Sequence, residues 1–225
     1  MKINKQKNAR PPPPCGRRSR SHSVLATKAA RIMEALVHMR KLRKPMLAAE
    51  YWASDAVSTY DRHVVVKQLC FTKQAGHVDL AHAIIVLILK DPSAIRLKCS
   101  WVLLLCVTLA RTHNPAFLEP IVLLKNGLTD LSMAVDSTLL FEFSPKGNRA
   151  TAVEDTLAWV NNPSMFPYKG SVGELIREMV CRYGKQYGSN LVVSAWDKYR
   201  DVATFSKRFD LSKEEELKHA TLTGY

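Results

Sequence analysis

Residues 78–90 and 94–111 are apolar nearly all round. The first holds Ala83-Ile84-Ile85-Val86-Leu87-Ile88-Leu89, the second Trp101-Val102-Leu103-Leu104-Leu105-Cys106-Val107. A helix without a polar face has to be covered on every side by other protein, so the pair marks two buried central helices. Asp91-Pro92-Ser93 separates them and Asn114-Pro115 ends the second. So short a connection implies an antiparallel pair. The longest apolar run, Trp101 to Val107 and extendable to Ala110, falls far short of the roughly 20 residues a membrane span requires. The chain has 225 residues. Without its N-terminal stretch about 180 remain, enough for one sizeable core.

Around this pair the pattern is more varied. Residues 46–60 read as a helix with Leu47, Tyr51 and Trp52 on one side. His63 to Phe71, with β-branched Val64-Val65-Val66, reads as a strand, and Gly76 breaks the chain. Ile121-Val122-Leu123-Leu124-Lys125 followed by Asn126-Gly127 reads as one arm of a hairpin, with Thr138 to Phe143 as a second strand. A helix from Thr129 to Val135 competes with that hairpin. Ser144 to Arg149, with Pro145 and Gly147, is a loop and the best internal boundary. Beyond it, Thr151-x-x-Glu154, Ser171-x-x-Glu174 and Ser212-x-x-Glu215 match the capping box of a helix start. Leu175, Ile176, Met179, Val180 and Tyr183 form an apolar stripe, Gly184 and Gly188 weaken that helix towards its end, and another helix runs from about Asn190 to Phe205. No repeat of solenoid length is present.

The charges are distributed unevenly. Lys2, Lys5, Lys7, Arg10, Arg17, Arg18, Arg20, Lys28, Arg31, Arg40, Lys41, Arg43 and Lys44 make thirteen bases against one acid, Glu34, in residues 1–44, a net +12. The other 181 residues carry twenty bases against nineteen acids, a net +1. A cationic arm on a nearly neutral body points to an anionic polymer or surface as partner. Residues 1–23 are expected to be disordered: Pro11 to Pro14 favour polyproline II, and the polar residues around them offer little apolar area to offset the entropy of ordering. Residues 24–44 read as a basic amphipathic helix, with Leu25, Ala29, Ile32, Met33, Leu36 and Met39 at helical spacing and Pro45 as its stop. The clusters Arg17–Arg20 and Arg40–Lys44 also fit nuclear import signals. Ser19, Ser21 and Ser23 lie beside arginines; phosphorylating all three would remove roughly 4.5 to 6 charge units.

The expected fold class is therefore mostly α: a compact helical body with a minor β-hairpin or small sheet, preceded by a disordered basic N-terminal arm. The expected divisions are a Pro-containing arm at 1–23, the basic helix at 24–44, an apolar helical core with short strands at 45–148, and a C-terminal helical subdomain at 149–225.

No catalytic constellation emerges. A Walker loop, G-x-S-x-G, H-E-x-x-H and a dinucleotide fingerprint are all missing from the sequence. Seven scattered histidines (His22, His38, His63, His77, His82, His113, His219) and five cysteines (Cys15, Cys70, Cys99, Cys106, Cys181) match no zinc spacing. Neither a metal nor a cofactor is expected. The odd, unpaired cysteines and the polar, cationic N-terminus without an adjoining apolar region fit the cytoplasm, the nucleus or a virion rather than secretion. Gly170-Ser171-Val172-Gly173 formally fits the G-x-x-G loop of a KH module, but its inner residues are not basic and a helix start explains the same letters.

A second basic region lies at 166–209. It holds Phe166, Tyr168, Tyr183, Tyr187, Trp196, Tyr199, Phe205 and Phe209 interleaved with Lys169, Arg177, Arg182, Lys185, Lys198, Arg200, Lys207 and Arg208. Rings and cations so mixed can stack bases and hold phosphates; an aromatic core with ordinary surface charge is the plainer explanation. Arg177, Arg182, Lys185, Lys198, Arg200, Lys207 and Arg208 are the secondary nucleic-acid-binding candidates. The resulting expectation is a non-enzymatic, self-associating structural protein that binds nucleic acid, RNA before DNA, through its arm. The layout of cationic arm and compact body is similar to that of coat, nucleocapsid and matrix proteins of RNA viruses, and the likeness is one of layout alone. Two alternatives are a matrix or adaptor protein on an anionic membrane surface and a nuclear RNA-binding regulator.

Overall fold

The computed structural model describes residues 44–71, 76–91, 99–127, 132–133, 135–144 and 148–200. Of these, 78% are helical and none lies in a strand, so the described part of the body is all-α. Helix α1 (Pro45–Ala53) opens on a proline, whose fixed φ suits the first helical position. Helix α2 (Thr59–Phe71) begins after Ser58, whose hydroxyl accepts from the Asp61 N–H at 3.2 Å and donates to the Asp61 carboxylate at 2.6 Å. Helix α3 (His77–Lys90) and α4 (Cys99–Ala110) are the two apolar helices. In α4 every residue from Trp101 to Ala110 is buried except half-buried Leu103. Helix α1 packs on α3, α2 packs on α4 and α3, and α3 packs on α4. These four form the N-terminal half of the core.

A short 3₁₀ turn (Pro115–Phe117) leads into α5 (Leu118–Gly127). A second 3₁₀ segment spans Ser137–Phe143, and all seven of its residues are buried. The Asp136 side chain starts it by accepting from the Thr138 N–H at 2.9 Å and the Thr138 hydroxyl at 2.8 Å. After a further 3₁₀ turn (Arg149–Thr151) come α6 (Ala152–Val160), α7 (Gly170–Gly184) and α8 (Ser189–Arg200). The 3₁₀ segment 137–143 touches α4, α5, α6, α7 and α8. It is the buried spine that joins the two groups of helices. The buried residues on both sides of 144–149 belong to one continuous hydrophobic cluster.

Several local expectations are corrected. The strand expected at 63–71 is α2: Val65 and Val66 are fully buried against neighbouring helices, and burial overrides β-propensity. The hairpin arm at 121–125 is α5, and Asn126-Gly127 ends a helix rather than turning a hairpin. Gly is as much a helix stop as a turn residue, and Pro120 sits in the first turn, where its missing N–H costs nothing. The strand expected at 138–143 is the 3₁₀ spine. Helix α1 stops at Ala53 and turns the other way: Ala48, Ala49 and Trp52 are buried, while Leu47 is 48% and Tyr51 39% exposed. Two alanines let α1 approach α3 closely, and the Trp52 indole N–H reaches the Arg62 carbonyl at 3.3 Å.

Two capping boxes also resolve differently. Thr151 makes no cap bond; its hydroxyl donates to Asp155 at 2.7 Å. Helix α6 is capped instead from across space: Ser189, on α8, accepts from the Val153 N–H at 3.1 Å and donates to Glu154 at 2.5 Å. That hydroxyl is the main reason the exposed Glu154 carboxyl sits below its usual range. Helix α7 starts two residues early, at Gly170, with Lys169 rather than Ser171 as its N-cap, and Lys169 makes no side-chain bond. The third box, at Ser212, lies outside the described residues, as do the arm at 1–23, the basic helix apart from Lys44, and the chain beyond Arg200.

Candidate nucleic-acid interface

Cations on the body have defined positions, and many serve the fold. The Arg62 guanidinium donates to the Ala53 and Ser54 carbonyls, both at 2.9 Å, closing the C-terminal end of α1. Burial pushes its pKa down, with Asp55 opposing. Arg111 donates to the Cys70 carbonyl at 3.1 Å near the end of α2, and to the Tyr199 carbonyl near the end of α8. Arg177 Nε donates to the Val160 carbonyl at 3.0 Å, the last residue of α6, and its guanidinium lies 5.0 Å from the Phe166 ring centroid. A cation at a helix C-terminus satisfies orphan carbonyls and opposes the negative end of the dipole. Three arginines from three different helices or their ends thus do the same job. Lys125 is similar: its ammonium donates to the Ser132 and Val135 carbonyls, both at 2.8 Å.

This redistributes the secondary candidates. Arg177 is half-buried and structural in its contacts. Arg182 is exposed and paired with Glu178 one turn back on α7. Lys185 is exposed. Lys198 and Arg200 lie on α8; Lys207 and Arg208 lie outside the described residues. Of the arm candidates only Lys44 is described, exposed at the start of α1. The other twelve bases of the arm, and Ser19, Ser21 and Ser23, are outside.

The rings divide the same way. Phe166 and Trp196 are buried. Phe166 meets Trp159 edge-on at 5.3 Å and Tyr168 at 5.5 Å. The Trp196 indole N–H donates to the Thr138 carbonyl at 3.0 Å, tying α8 to the spine. The hydroxyls of Tyr168 and Tyr199 are bound to the Pro115 carbonyl and to Asp136. Burial is the first cause of the raised Tyr168 pKa. Tyr183 and Tyr187 differ: they stack on one another with centroids 5.9 Å apart and planes 10° from parallel, both half-buried.

The G-x-x-G letters also acquire a structural role. A Cβ at buried Gly173 would stand 2.6 Å from the Tyr168 carbonyl oxygen, so this glycine serves an internal close approach rather than an exposed loop.

Titratable groups elsewhere follow local packing. His113 Nδ1 lies 2.8 Å from the Glu142 carbonyl and 3.3 Å from its buried carboxylate, holding the spine to the turn after α4. Burial lowers the His82 pKa against the pull of Asp79 and Glu119. Burial raises the Cys70 thiol and lifts Cys106 to about 12. Among the described residues no group of His, Cys, Asp and Glu is placed to hold a metal ion, and no helix is long and apolar enough to cross a membrane.

Comparison with known protein families, characterised proteins and solved structures finds no match for this chain.

Proposed function

We propose that this chain is a non-enzymatic structural protein that binds nucleic acid, RNA in the first place, through residues 1–44, and that its helical body supplies shape and self-association. The observation that carries the reading is the charge partition: net +12 in 44 residues against +1 in the other 181. A second observation strengthens it. Arg62, Arg111 and Arg177 close helix ends, so part of the body's cationic inventory is engaged internally. Lysines and arginines of residues 1–44 would neutralise phosphates and release counterions, giving affinity without sequence choice. Ser19, Ser21 and Ser23 would tune it, since each phosphate subtracts nearly two charges.

The direct test offers the full-length protein a single-stranded RNA and, separately, vesicles rich in anionic lipid, at the same physiological ionic strength. The reading expects RNA to be bound and vesicles to be bound much more weakly. Vesicle binding without RNA binding would transfer the function to a membrane-surface matrix or adaptor. Sedimentation velocity over a range of concentrations, with and without RNA, tests self-association; a monomer under every condition would remove that half of the proposal.

A further inference from the structure

We propose that the stacked Tyr183–Tyr187 pair at the end of α7, with Lys125 and Lys185 beside it, receives an unpaired base of a single-stranded nucleic acid. This rests on the nucleic-acid reading above and adds a site on the body to the arm.

Four observations bear on this pair. Its planes are nearly parallel, at 10°, whereas Trp159–Phe166 and Phe166–Tyr168 meet at 78° and 55°. The other near-parallel pair, His63–Trp101 at 16°, is closed inside the core, while this one is half-buried, and a half-buried parallel pair can be continued by a third planar ring. Tyr168 and Tyr199 have their hydroxyls bonded internally, but no hydrogen bond among the described residues uses the hydroxyl of Tyr183 or Tyr187. Both rings pack against the core on one side and stay half-buried. The Lys125 ammonium stands 5.7 Å from the Tyr183 ring centroid and is fixed there by the Ser132 and Val135 carbonyls. Finally, Gly188 adjoins Tyr187, is exposed, and would place an added Cβ within 4 Å of nothing. Among the described residues, the space next to Gly188 is therefore open.

The charges beside the stack suit a strand that carries its phosphates outward. Lys185 is exposed between the two tyrosines in sequence. Arg182 is exposed and paired with Glu178 at the surface, an interaction weak enough to be exchanged for a phosphate. The N-terminus of α8 is not the phosphate seat, because the Glu154 carboxylate already lies on Ser189 there. Base stacking with flanking lysines is sequence-tolerant, because every base has a π-face. It discriminates single strands from duplexes, whose bases are already stacked.

The test uses the full-length protein and a fluorescein-labelled oligouridine of about twelve nucleotides, within the usual site sizes for single strands, against an RNA duplex of the same length. Tyr187→Leu is expected to weaken oligouridine binding by about tenfold, the loss of one stacked base. Duplex binding and the salt dependence should be unchanged, and Tyr187→Phe should bind as the parent does. A second measurement does not depend on how a variant folds: the parent protein is photocrosslinked to 5-iodouridine oligomers and the adducts are mapped by mass spectrometry. Adducts at Tyr183 or Tyr187 are the expected result. Adducts confined to residues 1–44, or a Tyr187→Leu protein that binds both probes as the parent does, would overturn the proposal. A full-length variant with the arm's bases changed to Gln separates the two readings. If its salt dependence equals the parent's, the arm reading fails; if the salt dependence falls while tyrosine adducts are missing, the stacking site alone fails.

Discussion

Arg177 illustrates how a residue's role is decided by its position in the fold. In the sequence it is one base among eight in an aromatic-rich stretch. In the fold it closes α6 through the Val160 carbonyl and lies over the Phe166 ring. Nothing in the local sequence names a partner 17 residues upstream, because that contact exists only once α6 and α7 have packed. Arg177→Ala should lower unfolding stability by about 2 kcal/mol, from a charged hydrogen bond and a ring contact, measured by urea denaturation. Nucleic-acid affinity should stay as in the parent, and Arg177→Lys should not restore stability, since an ammonium lacks the planar guanidinium. A parent-like midpoint for Arg177→Ala would return it to the interface. His82 gives a second prediction. Its folded pKa lies below the ordinary 6.5, chiefly through burial. The unfolded chain therefore binds the extra proton first. The stability this group contributes is present above about 6.5 and is lost as pH falls through the depressed folded value. An NMR titration of His82 should show a midpoint below 6.5, and a midpoint at or above it would contradict the burial argument.

At the scale of elements, the long apolar helices were legible and the short elements were not. Residues 78–111 have to be covered on all sides whatever surrounds them, and α3 and α4 are indeed the centre of the N-terminal half. Val64-Val65-Val66 and Ile121 to Lys125 misled because a short apolar run fits a buried strand and a buried helix equally well. For α5 the deciding signals were present: Glu119 and Pro120 in the first turn, Lys125 in the last, Gly127 at the end. For α2 the Ser58-x-x-Asp61 cap was present too. The 3₁₀ spine had no such signal beyond Asp136, since its seven buried residues owe their conformation to five surrounding helices. Gly173 tests this packing. Gly173→Ala places a methyl group 2.6 Å from a backbone oxygen, so α7 or the Tyr168 strand of chain must shift, costing about 2 kcal/mol or more. A thermal melt within a degree or two of the parent would show that the approach is looser than the geometry states.

For the molecule as a whole, the candidate site was legible in one respect and hidden in another. Charge asymmetry needs no structure to be seen, and Lys2 through Lys44 could be named from the sequence. The sorting of the body's rings and cations into packing and surface could not, because Phe166, Tyr168 and Trp196 look no different in sequence from Tyr183 and Tyr187. Lys125 was missed altogether: it lies 58 residues before the ring it accompanies. The central claim is that residues 1–44 dominate binding through their charge. The most direct measurement is the affinity of the full-length protein for a single-stranded RNA across a salt series, beside a full-length variant in which Arg17, Arg18, Arg20, Arg40, Lys41, Arg43 and Lys44 are changed to Gln. The account predicts a linear fall of log affinity with log salt for the parent, at about 0.7 per phosphate neutralised, and a much shallower slope with weaker binding for the variant. A variant that keeps the parent's slope and affinity would contradict it.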